Sequence, residues 1–192
     1  MAINLGNSDA MFRYYSMLVN DENTEDEELA VNYLKMAVSK GNSDALYKVG
    51  FLVLNDLQKF EGVDKEKAVG FIQKAAYKGN VDALYHLGRF MFSKSENEEE
   101  RIKAVGFIKK AADEGNVDAM LDYGNRMKND NDIEIAIYYF KLAADRGNRE
   151  AMFNYGYLIE NYNEEEAKRY FKMATEKENH KQSNNTRYCC IQ

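Results

Sequence analysis

The stretch Lys67–Gly88, KAVGFIQKAAYKGNVDALYHLG, decides the fold. It reads as the end of one amphipathic helix, a glycine corner, and the start of the next helix. The corner Gly79-Asn80-Val81-Asp82-Ala83 returns as Gly6–Ala10, Gly41–Ala45, Gly115–Ala119 and Gly147–Ala151. Each part has a mechanical role. Glycine takes the left-handed conformation that ends a helix at little cost. Asparagine caps the helix that follows, and the acidic residue sits near the positive end of that helix's dipole.

Spacing adds a second signal. Each second helix carries two alanines seven residues apart: Ala30/Ala37, Ala68/Ala75, Ala104/Ala111, Ala136/Ala143 and Ala167/Ala174. From the first of each pair to the next corner alanine is always 15 residues (30 to 45, 68 to 83, 104 to 119, 136 to 151). From corner alanine to second helix the distance varies: 20, 23, 21, 17 and 16 residues. A fixed link between repeats and a free turn within each is the mark of a stacked array, where packing sets the geometry and insertions collect in loops.

The periodicity predicts first helices over about 8–19, 43–55, 81–93, 117–128 and 149–160. Second helices are predicted over about 25–40, 64–78, 98–114, 132–146 and 163–178. Apolar residues recur one, four and eight positions after the corner alanine, as in Leu46, Val49 and Val53, which is helical spacing. Glycine follows five positions after that alanine (Gly50, Gly88, Gly124, Gly156), with Tyr15 in its place in the first repeat. A mid-helix glycine costs about 1 kcal/mol against alanine, so close helix approach is expected there. Thr24 with Glu27, Asp64 and Asn163 are the expected caps of second helices. The methionines fall mostly on core positions and read as gap-fillers.

Composition sets limits on function. A net charge of −6 without a basic stripe argues against nucleic acid as the main partner. Both cysteines lie in the last four residues, so no disulfide framework is expected, which suits a cytoplasmic address. Met1–Leu5 shows no targeting signal, and Ala2–Asn7 aligns with the last turn of a second helix. No phosphate loop, metal-ligand cluster or nucleophile motif stands out, so no cofactor, metal or catalytic residue is expected. The acidic stretches Asp21–Glu28, Glu96–Glu100 and Glu164–Glu166 read as solvated turns that complement helix dipoles.

The whole pattern resembles the Sel-one-like repeat, a relative of the tetratricopeptide repeat. The second repeat carries the resemblance best, in Ala45-Leu46, Val49-Gly50, Gly62–Ala68, Ala75-Ala76 and Gly79-Asn80. It implies an all-α, right-handed α/α superhelical solenoid of about five helix-turn-helix repeats over residues 1–178. The repeats are about 7–40, 42–78, 80–114, 116–146 and 148–178, followed by a flexible tail at 179–192. In tetratricopeptide-like solenoids the first helices line a concave groove that takes peptides or helices. Carried onto this chain, the groove positions are Phe12, Arg13, Tyr47, Lys48, Phe51, Tyr85, His86, Arg89, Phe153 and Tyr157. Packing of first helix against first helix is the competing reading of the aromatic members.

The expected role is a non-enzymatic adaptor that assembles signalling, degradation or membrane-associated complexes. An enzyme or enzyme-inhibitor with a cross-repeat site, and a segment that self-associates through its array ends, are the alternatives. The terminus Cys189-Cys190-Ile191-Gln192 fits a prenylation pattern, making Cys189 a lipidation candidate and weak membrane association an accompanying expectation.

Overall fold

The computed structural model describes residues 6–20, 27–57 and 60–188, with side chains followed as far as Glu176. Ten helices alternate with short turns among the described residues: α1 Ser8–Asn20, α2 Glu27–Ser39, α3 Ser43–Leu54, α4 Lys65–Tyr77, α5 Val81–Lys94, α6 Glu98–Asp113, α7 Val117–Asn129, α8 Ile133–Asp145, α9 Arg149–Ile159 and α10 Glu164–Tyr188. The chain divides into two compact units, Met1–Phe107 and Ile108–Gln192, with the boundary inside α6.

The corners show why the inter-repeat link is fixed. Gly41, Gly79, Gly115 and Gly147 have φ of 75°, 87°, 106° and 88°. At each, the glycine N–H returns to the carbonyl three residues back and the asparagine N–H to the carbonyl five back. In the second repeat these are Gly41 N to Val38 O, 2.9 Å, and Asn42 N to Ala37 O, 3.0 Å. This is the Schellman closure. It uses the carbonyl of the recurring second alanine, and Ala37, Ala75, Ala111 and Ala143 are all fully buried. The same asparagine then caps the next helix, its Oδ1 accepting from Ala45 N at 2.8 Å, Ala83 N at 2.7 Å, Ala119 N at 2.7 Å or Ala151 N at 2.9 Å. No residue is left between stop and start, so the spacing cannot drift.

In the N-terminal unit the corners are also bonded to one another. Asn42 Nδ2 donates to Asp9 Oδ1 and Asn80 Nδ2 donates to Asp44 Oδ1, each at 2.7 Å. The corner carboxylate therefore does more than complement a dipole, because it fixes the next repeat's asparagine. The caps expected at Asp64 and Asn163 are present, accepting from Lys67 N at 2.8 Å and Glu166 N at 3.1 Å. Thr24 lies outside the described residues.

Three of the recurring first-helix glycines mark close contacts. A Cβ built on Gly50 would stand 2.7 Å from Ile72 Cγ1, on Gly124 2.7 Å from Phe140 Cε1, and on Gly156 2.5 Å from Phe171 Cε1. Tyr15, in the glycine's place in the first repeat, is nonetheless buried within the α1–α4 core beside Met11, Leu34 and Val49. Met11, Met120, Met127 and Met152 are buried as gap-fillers, whereas Met173 is 38% exposed.

In the C-terminal unit tyrosines tie second helices together. Tyr139 on α8 donates to Asp113 Oδ1 of α6 at 2.5 Å, and Tyr170 on α10 donates to Asp145 of α8. Burial, reinforced by the bond to Asp113, pushes the Tyr139 hydroxyl up to about 12. Between α8 and α10, Lys141 Nζ donates to Glu166 Oε1 at 2.6 Å and to the Tyr155 hydroxyl at 3.0 Å.

One helix end differs from expectation. The last second helix was expected to end at about 178, yet α10 continues to Tyr188. Glu178 replaces the corner glycine four residues after Ala174, and neither glycine nor proline occurs between there and Tyr188, so nothing in the sequence stops the helix. Cys189 and the rest of the prenylation pattern lie outside the described residues.

Candidate functional site: an aromatic face and its cleft

The second, third and sixth positions after each corner alanine are where the sequence placed a binding face. In the N-terminal unit they converge. The His86 ring of α5 stacks on Tyr47 of α3 at 5.6 Å between centroids and 29° between planes. It meets Phe51, one turn further along α3, edge-on at 5.3 Å. Tyr47 and Phe51 touch each other at 5.8 Å. Tyr85 lies 5.4 Å from His86 but is only 8% exposed, so its ring belongs to the core. Arg89 lays its guanidinium 5.6 Å from the Tyr85 centroid and is itself exposed. The rings thus pack first helix against first helix, and Tyr47, Phe51 and His86 remain partly exposed.

Beside this cluster is an open cleft of about 280 Å³ between α3, α4 and α5. Phe51, Leu54, Val69, Ile72, Leu87 and Phe90 supply its apolar lining. Asn55, His86, Arg89 and Ser93 supply the polar atoms. Small-molecule sites run from about 300 to 1,000 Å³, so this cleft has the size of an anchor for protruding side chains. Phe90 is 38% exposed despite its size.

The other expected groove residues fall elsewhere. Lys48 is half-buried in a second cleft, between α1, α2 and α3. Phe12 tilts against Tyr15 at 5.7 Å and packs on the core, and Arg13 is exposed on α1. In the C-terminal unit Phe153 and Tyr157 gather on Phe171 of α10, at 6.2 and 5.2 Å, with Arg149 over the Phe153 ring at 5.3 Å. Sequence reasoning missed Val69, Ile72 and Phe90, because it searched one helix face while the cleft opens between helices. The apolar residues Leu52 and Phe90, seven positions after the corner alanine on an otherwise polar side, were the available signal.

Among the described residues no group of three or more His, Cys, Asp or Glu is placed to hold a metal, and no helix is long and apolar enough to cross a membrane.

Helix pairs joined by glycine corners and stacked by repeat define an all-α solenoid of the tetratricopeptide-like class. Comparison with known proteins narrows that class. The Sel1 repeat model matches residues 24–42, 43–80, 81–116, 119–148 and 149–179, and the chain belongs to the Sel1 repeat family. Among solved structures it is similar to a Sel1 repeat protein from Oxalobacter formigenes, with a TM-score of 0.74 and 23% identity over 91% of this chain and 75% of that one. It is also similar to c5321, a protective antigen of uropathogenic Escherichia coli with an SLR fold (TM-score 0.69, 25% identity). That match covers 95% of this chain and 43% of the other. The immunity protein Pa5087 from Pseudomonas aeruginosa has a TM-score of 0.59 at 22% identity, over 87% of this chain and 64% of that one. No curated protein sequence matches. Folds of this kind are generally protein-interaction scaffolds.

Proposed function

We propose that the chain is a non-enzymatic adaptor that binds a peptide or helix of another protein against the first-helix face of its N-terminal unit. The cleft beside the Tyr47–His86–Phe51 cluster carries this reading. It offers an apolar floor, an exposed aromatic in Phe90 and a cation in Arg89 at one place. Aromatic and arginine side chains over a desolvated pocket are the usual composition of binding hot spots. The rings are held by mutual contact, so little rotamer freedom is lost when a partner arrives.

A photo-crosslinking residue placed at Ser93, on the rim, tests the proposal in the native host. Tyr77, 78% exposed at the end of α4, is the control position. Ser93 should give discrete crosslinked proteins that Tyr77 does not, and they should disappear when Phe90→Ser is added. Equal crosslinking from both positions would overturn the assignment.

A further inference from the structure

We infer that the partner is an acidic segment with two apolar anchor residues about 10 Å apart, one for each of two repeat-equivalent clefts in the N-terminal unit, the separation being that of neighbouring helix axes. The inference rests on the adaptor reading above and supplies the chemistry of its ligand.

The clefts are copies of one another. Lys48 and His86 stand three positions after their corner alanines (45 to 48, 83 to 86), and Leu52 and Phe90 stand seven after (45 to 52, 83 to 90). Val19 and Leu54 stand nine after theirs (10 to 19, 45 to 54), while Val31 and Val69 each follow the first alanine of a second helix. The α1–α3 cleft measures about 400 Å³ and the α3–α5 cleft about 280 Å³. Both flank α3, so one bound segment crossing that helix reaches the two together.

Charge selects the partner. The third position after the corner alanine is Arg13, Lys48 and His86 in the N-terminal unit, but Asp122 and Asn154 in the C-terminal unit. The sixth adds Arg89, against Asn125 and Tyr157. A chain of net charge −6 thus carries Arg13, Lys48 and Arg89 at these first-helix positions of one unit. Lys48 and Arg89 have no carboxylate partner among the described residues. Among the described residues Glu27, in the α1–α3 cleft, is the one carboxylate lining either cleft, so the carboxylates of the ligand belong beside Arg89. Anchors about 10 Å apart are three residues apart in an extended segment or seven apart along a helix.

A phage-displayed library of random 16-residue peptides, selected on the full chain, tests this without presuming the sequence. Selected peptides are then synthesised and titrated by fluorescence anisotropy against wild type, Lys48→Glu/Arg89→Glu and Phe90→Ser, each checked for helical signal. The expected consensus is acidic with two apolar residues at three- or seven-residue spacing, and the double charge reversal should weaken binding about tenfold. A basic or uncharged consensus that still needs Phe90 would overturn the acidic inference and leave the adaptor reading intact. Absence of any peptide whose binding depends on Phe90 would overturn both. A dimer of the chain that Phe90→Ser dissociates would assign the clefts to a second copy and overturn the peptide partner.

Discussion

Replacing Asn42 by aspartate isolates the bond between corners from the cap within each corner. Asn42 is 6% exposed, accepts from Ala45 N at 2.8 Å through Oδ1, and donates from Nδ2 to Asp9 Oδ1 at 2.7 Å. Aspartate caps a helix as well as asparagine does, so the first bond survives. The second is replaced by two facing carboxylates. Losing a hydrogen bond to a charged acceptor costs about 1.5–3 kcal/mol. Repulsion at 4 Å would add about 4 kcal/mol at an effective dielectric constant near 20. Asp9 is exposed and can swing into water, which leaves about 1 kcal/mol of that. The expected total is about 2–4 kcal/mol, or a melting point lower by about 5–12 °C for a chain of this length. Urea and thermal unfolding followed by circular dichroism at pH 7 measure it. Adding Asp9→Asn restores a donor opposite a carboxylate and should recover most of the loss. A change below about 0.5 kcal/mol in Asn42→Asp, or no recovery in the double variant, would refute the corner ladder.

One substitution made at two glycines should change sign with its surroundings. Gly124→Ala sets a Cβ 2.7 Å from the buried Phe140 ring and should cost about 1–3 kcal/mol, whereas Gly106→Ala in α6 meets nothing within 4 Å and should stabilise by about 0.5–1 kcal/mol; urea midpoints of both variants decide it. The hydrogen bond from Lys141 holds the Glu166 carboxyl below its ordinary value against a smaller opposing effect of burial, with Tyr155 adding to the lowering. A depressed carboxylate contributes stability above its unfolded pKa and loses it as pH falls through the folded one. Glu166→Gln should therefore be destabilising at pH 7, by about 1.5 kcal/mol, and progressively less so as pH falls through the acid range in urea melts.

The corner motif made most of the architecture legible before any coordinates. Glycine, asparagine and the recurring alanine each do a job set by local backbone chemistry, and local chemistry can be read along the chain. What escaped was non-local. The bond from Asn42 to Asp9 joins residues 33 apart, and no pattern distinguishes it from a carboxylate that merely faces a dipole. The ends of α3 and α7 fell within one residue of those expected, although Asp56 and Asn131, not glycine, take the positive φ (54° and 67°) just beyond them. Register alone left Tyr85 open between the groove and the packing of first helix on first helix; it is buried, with Arg89 and His86 against its ring. The cleft lining divides among three helices, so a search of one face found His86, Arg89 and Phe51 and passed over Val69, Ile72 and Phe90.

The central claim, that a protein partner docks in the cleft beside Tyr47, Phe51 and His86, is tested most directly by methyl-resolved NMR of the full chain during titration with a selected peptide. Resonances of Leu54, Val69, Ile72 and Leu87 should shift in parallel and saturate together, while those of Ile137, Leu142 and Ile159 in the C-terminal unit stay in place. Saturable shifts confined to the C-terminal methyl groups, with the cleft methyl groups unmoved, would contradict it.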